Sequence, residues 1–422
     1  MNADQALSYI HSIPRNTLAP GLDRIRDLMA RLGDPQKQLK FVHIAGTNGK
    51  GSTAAMMASV LQKAGYRTGL YTSPFINRFH ERIQIDGQMI SDEDLAEITG
   101  KVKPQAQAMP VHPTEFELVT AMALSYFADK SCDIVVMETG MGGALDATNV
   151  IEPPLVSVIT NIGLDHTDAL GDTLEKIAAV KAGIIKGGYT ALYRAQDSVE
   201  QVFEDRCRDT RAQLMKADFD SIRLHSHGFE GQVFDACGYE DLQIPLLGAH
   251  QLKNAAVVLT AIKALQLQGY SIPEAAVRSG LASVAWPGRF ELLRKSPLFL
   301  VDGGHNPQCI DALADNVRDY LKGRPLTVVT GVMADKDYRC MYDKIAACTG
   351  EFLTVTAPSP RALTAEQLRD YLSRYGKPVT PCTSIQEAVD LAIQKAGTEG
   401  VVLTYGSLYM VGDIRTAVKA TL

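Results

Sequence analysis

Two successive series of short apolar runs, each alternating with helix-like stretches, predict an α/β chain built from mostly parallel sheets covered by helices. The first series holds the strand candidates Phe41–Ala45, Thr68–Thr72, Asp133–Glu138, Val156–Asn161 and Thr190–Tyr193. The second holds Leu298–Val301, Leu326–Gly331, Phe352–Thr356 and Val401–Tyr405, with helical stretches such as Pro307–Tyr320 and Glu366–Arg374 between them. Pro287 and Gly288, within Trp286-Pro-Gly-Arg-Phe-Glu291, break regular structure between the two series. At 422 residues the chain is also too long for one comfortable core. The expected division is residues 1–290 and a smaller, Rossmann-like α/β domain over 291–422. Phe219 to Leu247 carries short mixed runs with several Gly and reads as β-hairpins on the edge of the first domain; Gln251 to Leu267 returns to helix.

The chemistry starts at Phe41-Val-His-Ile-Ala-Gly-Thr-Asn-Gly-Lys-Gly-Ser52. An apolar strand runs into a Gly-rich loop, and helix formers follow from Ser52 to Ala64. Gly46, Gly49 and Gly51 allow tight turns that aim backbone N–H groups at phosphate oxygens. The helix N-terminus adds partial positive charge and Lys50 a full one. The segment predicts a nucleoside triphosphate, so the first domain reads as a P-loop ATPase domain. The general G-x-x-x-x-G-K-[ST] pattern is not met: Ile44 stands where Gly would, and Gly51 where the hydroxyl would, with Ser52 one later. The bland alternative is an ordinary strand–helix turn with a solvated Lys.

Composition excludes several classes. Apolar residues make up 46% and charged residues 21%, and the formal net charge of −6 gives no electrostatic reason to bind nucleic acid or an anionic membrane. The N-terminal stretch lacks the apolar region of a signal peptide, and no apolar run is long enough to span a bilayer. Seven scattered Cys without C-x-x-C spacing suggest reduced thiols, no zinc site and a cytoplasmic protein.

Other residues sit at strand ends. Ser73 closes Leu70-Tyr-Thr-Ser-Pro74; a hydroxyl there is ordinarily a turn former. Glu138 ends a buried run beside Thr139-Gly-Met-Gly-Gly143, as a Mg²⁺ ligand would or as a cap or structural ion pair would. Gly140 to Gly143 lacks full dinucleotide-loop spacing. His166 lies between Asp165 and Asp168, although Mg²⁺ prefers oxygen ligands. Lys181 is a cation in an apolar helical stretch. It is either a snorkelling Lys or one turned toward the phosphate site, where burial would depress its pKa and open the way to a carbamate. Asp302 and His305, in Val301-Asp-Gly-Gly-His-Asn-Pro307, could touch ribose, phosphate or an amine, or could form a turn and cap. Arg289 is a phosphate clamp or a surface residue.

Gly46-Thr-Asn-Gly-Lys50 resembles the phosphate loop of the Mur ligase family, which makes amide bonds with ATP, and Gly51-Ser52 resembles its folate branch, the folylpolyglutamate and dihydrofolate synthases. The likeness extends from Gly21-Leu-Asp-Arg24 to Thr404-Tyr-Gly-Ser-Leu-Tyr409. It takes in Tyr71-Thr-Ser-Pro74, Leu145-Asp-Ala-Thr-Asn149, Leu164-Asp-His166, Lys181-Ala-Gly183, Pro287-Gly-Arg289 and Asp302-Gly-Gly-His-Asn-Pro307. The resemblance implies that Thr47, Asn48, Gly49, Lys50, Gly51 and Ser52 hold the ATP phosphates. It puts Ser73 and Glu138 on one Mg²⁺ and His166 on a second, and makes Lys181 a carbamylated lysine supporting that site. Asn254 would meet adenine, Arg289 and Asp302 phosphate and ribose, and His305 the incoming glutamate. Gly21, Leu22, Asp23, Arg24, Thr114, Phe116, Leu145, Asp146 and Ala147 would form the pterin-binding surface.

The implied reaction is ATP-dependent addition of L-glutamate to a reduced folate and to dihydropteroate, through an acyl phosphate, by a monomer. The alternative is polyglutamylation alone, since Ala144 stands where an Arg of the bifunctional type would contact the pterin or its chain. A cell-wall ligase would need a separate UDP-binding domain, and about forty residues before the loop are too few for one. A nucleotide-dependent switch would leave Lys181, His166 and the second domain without purpose. A Rossmann oxidoreductase does not explain the phosphate-type Lys50.

Overall fold

The computed structural model describes residues 1–14 and 21–421. Two compact units emerge. The first comprises Met1–Arg223, Phe234–Gln243 and Leu252–Val284; the second comprises Leu224–Val233, Ile244–Gln251 and Ala285–Leu422.

The strands of the first unit are β1 (Phe41–Ala45), β2 (Thr68–Tyr71), β3 (Ile83–Ile85), β4 (Gln88–Met89), β5 (Ile134–Glu138), β6 (Val156–Ile159), β7 (Tyr189–Leu192) and β8 (Gln213–Lys216). They form one sheet in the order β4-β3-β2-β5-β1-β6-β7-β8. The six strands from β2 to β8 in that order run parallel. The β3–β4 edge is antiparallel. β1 lies at the centre and is buried along its whole length, which accounts for its continuous apolar run. Its register aligns Ile44 with Glu138 and Ala45 with Ile159, so β1, β5 and β6 end together. Chain connections leave β1 toward β2 on one side and return toward β6 on the other. The loop after β1 therefore opens at a topological switch point, where open α/β sheets hold ligands.

One face of this sheet packs Phe41, Tyr71, Val135 and Met137 against Leu118, Met122 and Phe127 of the Glu115–Asp129 helix, with Ile25, Leu28 and Leu95 behind them. The Lys50–Lys63 helix packs closely on the Glu274–Ala282 helix. A Cβ at Gly280 would lie 2.5 Å from Val60 Cα, and Ser59 Oγ donates to the Gly280 carbonyl at 2.7 Å.

Residues 223–244 depart from the sequence expectation of an edge addition. β9 (Arg223–Gly228), β10 (Gly231–Ala236) and β11 (Tyr239–Ile244) form a three-stranded sheet of their own, ordered β11-β10-β9. β9 is largely exposed, whereas β10 alternates buried and half-buried residues, the pattern of a strand with one face covered. The Ala249–Leu267 helix follows.

The second unit carries β12 (Glu291–Lys295), β13 (Leu298–Val301), β14 (Leu326–Thr330), β15 (Thr349–Thr354), β16 (Val379–Pro381) and β17 (Val401–Tyr405). Their order is β12-β13-β17-β14-β15-β16, parallel except for the antiparallel edge strand β12. Leu300, Val328, Phe352 and Leu403 form its core with Ile310, Leu313, Val317 and Phe290.

Candidate active site

The loop after β1 is held from three directions. Gly46 takes φ 155°, and a Cβ there would lie 1.8 Å from Thr160 Oγ1, so only Gly fits against the end of β6. Thr47 N–H donates to the Asn161 carbonyl at 2.7 Å, and Thr47 Oγ1 donates to the Gly163 carbonyl at 3.0 Å. Thr160 Oγ1 donates to the Asn48 carbonyl at 2.8 Å. Gly49 takes φ 85° as the residue before the Lys50–Lys63 helix, and a Cβ there would lie 2.6 Å from Asn254 Oδ1. Asn254 therefore sits against the phosphate loop itself. Lys50 Nζ folds back to the Thr47 carbonyl at 3.1 Å, which keeps its charge over the loop. Ser52 is buried in the first helical turn.

Lys181 is buried near the end of the Leu174–Ala182 helix and its Nζ donates to the Gly46 carbonyl at 2.8 Å. Burial pushes its pKa down to about 7; the Lys50 charge adds to this, and Asp165 and Asp146 oppose it. Of the two readings open from sequence, the structure takes the inward one. Lys181 is no snorkelling side chain.

Glu138, buried at the end of β5, accepts the Ser73 N–H at 3.1 Å on Oε2. The two residues thus lie together at the adjacent ends of β2 and β5, with β1 on the far side of Glu138. His166 follows β6 in a left-handed conformation, half exposed, with Nε2 4.0 Å from Asp165 Oδ1.

Asp146 points inward. Its Oδ2 accepts the Met141 N–H at 2.8 Å, and its Oδ1 accepts the Thr148 N–H and hydroxyl. His43 Nε2 lies 2.9 Å from the same Thr148 oxygen. Burial raises the Asp146 pKa and lowers that of His43 to about 3. Asp146 therefore organises the Gly140–Ala144 loop from inside. That loop packs tightly: a Cβ at Gly140 would lie 2.5 Å from Phe116, and one at Gly183 would lie 2.3 Å from Ala144 Cβ. Leu145 and Met141 are exposed on its outer side, while Ala147 is buried. Thr114 caps the Glu115–Asp129 helix in a reciprocal box with Glu117. Arg24 grips the same Glu117 with Nε at 3.1 Å and a terminal nitrogen at 2.9 Å. Gly21 and Leu22 lead into the Asp23–Arg31 helix, where Asp23 is exposed.

In the second unit, Asp302 follows β13 and is buried. Its Oδ2 accepts the Phe290 N–H at 2.8 Å and its Oδ1 the Gly304 N–H at 2.6 Å. Burial raises its pKa against the opposing Arg289 charge. Arg289 donates to the Gly288 carbonyl at 2.9 Å, and His305 Nδ1 lies 2.9 Å from the Gly303 carbonyl. Asn306 caps the Pro307–Leu321 helix. Arg289, ahead of β12, and Asp302 and His305, after β13, therefore meet at one end of that antiparallel strand pair, where Gly303 N–H donates to the Gly288 carbonyl at 2.9 Å. The sequence reading passed over Thr160, Asn161 and Gly163, which clamp the phosphate loop, and His43 and Thr148, which anchor Asp146. A Thr-Asn pair directly after a buried strand was the available signal for the first group; none existed for the second.

A Gly-rich anion loop with two lysines at the switch point of a parallel sheet, together with a second α/β unit, defines a nucleotide-using enzyme of two-domain architecture. Residues 44–262 match the Mur ligase middle domain, and residues 288–408 match the Mur ligase glutamate ligase domain. A dihydrofolate synthase/folylpolyglutamate synthase of Bacillus subtilis (strain 168) is 37% identical over 98% of both chains. The folylpolyglutamate synthase of Mycobacterium tuberculosis complexed with ADP superposes with a TM-score of 0.89 at 32% identity, covering 99% of this chain and 98% of that one. The E. coli FolC in complex with DHPP and ADP gives 0.87 at 30% identity, covering 100% and 98%. The chain belongs to the folylpolyglutamate synthase/dihydrofolate synthase branch of the Mur ligase family.

Proposed function

We propose that this chain uses ATP to activate the carboxylate of dihydropteroate or of a reduced folate and joins it to the amine of L-glutamate. As a Mur ligase it is an ATP-dependent ligase. The observation that carries the reading is the pair Lys50 and Lys181, both bonded to carbonyls of the Gly46–Ser52 loop where β1, β5 and β6 end.

A carboxylate resists attack by an amine because oxide is a poor leaving group. Transfer of the γ-phosphoryl group of ATP to a carboxylate oxygen releases ADP and leaves an acyl phosphate. The glutamate amine then attacks the acyl carbon, loses a proton and expels phosphate, giving the amide. Backbone N–H groups of the loop and Lys50 would spread the charge of the transferring group. Thr47 to Ser52 would cradle the phosphates, Asn254 would stand at the nucleotide, and Arg289, Asp302 and His305 would serve ribose, phosphate and glutamate.

The oxygen donors of Glu138 and Ser73 fit Mg²⁺, and His166 would help hold a second ion. Bound there, Mg²⁺ would neutralise phosphate charge. With its pKa near 7, Lys181 has the free amine that adds CO₂ to give a carbamate and a proton, turning a cation into an oxygen donor. Gly21 to Arg24, Thr114, Phe116 and Leu145 to Ala147 would receive the pterin, with Arg24 and Asp146 shaping that surface through Glu117 and Thr148. We assign the nucleotide to residues 1–290 and glutamate to 291–422, in a cytoplasmic monomer. Among the described residues, no helix is long and apolar enough to cross a membrane.

The test is phosphate release from ATP with Mg²⁺ and L-glutamate, run with dihydropteroate, tetrahydrofolate and no acceptor, with product masses. Glutamate-dependent turnover of both acceptors is expected. Turnover of tetrahydrofolate alone would favour the polyglutamylating reading, in which the small Ala144 against Gly183 lacks a pterin contact. Phosphate release indifferent to glutamate and folate would sink both.

A further inference from the structure

The segment from Gly140 to Asn149 carries Leu145, Asp146 and Ala147, assigned above to the acceptor, and it is tied down in two directions. One tie goes to the helix that bears Lys181. Ala144 N–H donates to the Val180 carbonyl at 2.9 Å, and a Cβ at Gly143 would lie 2.8 Å from the Lys181 carbonyl oxygen. Asn149 Nδ2 donates to the Ala144 and Gly183 carbonyls at 3.1 and 3.2 Å. The other tie is a chain of side-chain hydrogen bonds that ends at His43 on β1, three residues before Gly46.

Donor counting fixes the direction of that chain. A threonine hydroxyl has one proton to give and lone pairs to receive. Thr148 gives its proton to Asp146 Oδ1 at 2.5 Å. His43 Nε2, 2.9 Å from the same hydroxyl oxygen, must then be the protonated ring nitrogen. Nδ1 is left as a bare lone pair, and Nδ1 is indeed the buried ring atom without a hydrogen-bond partner. With its pKa near 3 the ring is neutral at pH 7 and carries a single N–H. Asp146 is itself buried, and both of its oxygens accept from its own segment, Oδ1 from Thr148 and Oδ2 from Met141 N–H. Its carboxylate therefore acts on the segment and not on a ligand.

We propose that His43 and Thr148 are positioning residues for the acceptor: through Asp146 they hold the exposed Met141 and Leu145 side of the segment in fixed relation to the strand that carries the phosphate loop. The inference rests on the ligase reading above and deepens it. Reacting groups must meet at about 3–3.5 Å, so a segment released from β1 loosens the acceptor. The nucleotide side has its own supports, since Thr160, the Asn161 carbonyl and Gly163 clamp the phosphate loop from the end of β6. The chain should consequently govern the acceptor and not ATP.

The test is steady-state kinetics with dihydropteroate and tetrahydrofolate for the wild type, Thr148→Val, Thr148→Ser and His43→Leu. Thr148→Val keeps the side-chain shape and deletes the hydroxyl. It should raise the KM of the acceptors about tenfold, the scale of one charge-assisted hydrogen bond, and leave the KM of ATP unchanged. His43→Leu should shift the same constants in the same direction, and Thr148→Ser should stay near the wild type. A KM for ATP that rises with that of the acceptor, unchanged acceptor constants in Thr148→Val, or a Thr148→Ser as impaired as Thr148→Val would overturn the proposal. The ¹⁵N imidazole spectrum of the wild type tests the chain without any substitution. At pH 5, one of the nine His rings should remain neutral with its proton on Nε2. A spectrum with every ring protonated, or with the neutral ring carrying its proton on Nδ1, would also overturn it. Wild-type turnover reports on the ligase reading separately: if both acceptors turn over while acceptor and ATP constants move together, only the positioning role falls.

Discussion

Lys181 shows how one side chain couples folding to chemistry. Its amine is buried against the Gly46 carbonyl, beside the Lys50 charge, and its pKa falls from 10.5 to about 7. The unfolded chain therefore binds more protons at this position than the folded one between about pH 7 and 10.5. Stability contributed here must rise with pH through that window, and the cost of burying the ammonium is fully present below it. Lys181→Met removes the titration. Its melting temperature, measured from pH 6 to 10 against the wild type, should rise less with pH than that of the wild type. The substitution also strands the Gly46 carbonyl, at about 1–3 kcal/mol, so the difference in slope, and not the absolute stability, is the readout. A slope equal to that of the wild type would show that the amine is not buried as described. On the ligase reading the same variant should lose about 10²-fold or more in kcat, because the group nearest the loop is gone.

Helix and sheet packing decide what local propensity cannot. Gly280 lies inside the Glu274–Ala282 helix, where propensity alone favours Ala by about 1 kcal/mol. A Cβ there would meet Val60 Cα at 2.5 Å and Val60 N at 2.8 Å, and backbone does not yield as a side-chain tip does. Gly280→Ala should therefore destabilise by about 1–3 kcal/mol in urea unfolding, and a neutral or stabilising result would mean that the two helices can part at little cost. This contact was invisible in the sequence, since nothing about Gly280 names its partner 220 residues earlier. What was legible were elements whose own residues decide them. Phe41–Ala45 and Val401–Tyr405 are buried throughout and Leu298–Val301 in all but its first residue, and all three have the bounds the sequence predicts. β3 and β4 have three and two residues, too short for a period to register. β8 and β12 are edge strands of half-exposed, mixed character. The same division holds at the site. Gly46, Gly49 and Lys50 announce themselves by type and spacing, whereas the Thr160 and Asn161 clamp exists only because β6 ends beside β1.

At the scale of the whole molecule, contiguous blocks of sequence do not describe how the second unit is built. Its compact body includes Leu224–Val233 and Ile244–Gln251, which precede the Ala249–Leu267 helix or run into it. Leu247 lies in the same core as Phe290, Leu300 and Ile310, with Phe229 packed against it. Tyr320, on the Pro307–Leu321 helix, is ringed by His227, Phe229 and Phe290 at centroid distances of 4.9, 5.8 and 5.6 Å, and its hydroxyl accepts the Gly248 N–H at 3.2 Å. A Cβ at Gly248 would lie 2.3 Å from Asn316 Oδ1, so the 244–251 segment is seated closely on this helix. A fragment of residues 285–422 keeps the six-stranded sheet but exposes Tyr320 and the part of the Phe290, Leu300 and Ile310 core that Leu247 and Phe229 cover. Uncovering one aromatic side chain and part of that core costs about 3–5 kcal/mol, a large share of the roughly 5–15 kcal/mol by which a domain is stable. The fragment should show far-UV circular dichroism of an α/β fold with a broad thermal transition and weak near-UV signal. Adding residues 224–251 through a short flexible linker should sharpen the transition. A fragment of 285–422 that unfolds as cooperatively as the full chain would mean that the early segments decorate the second unit without stabilising it.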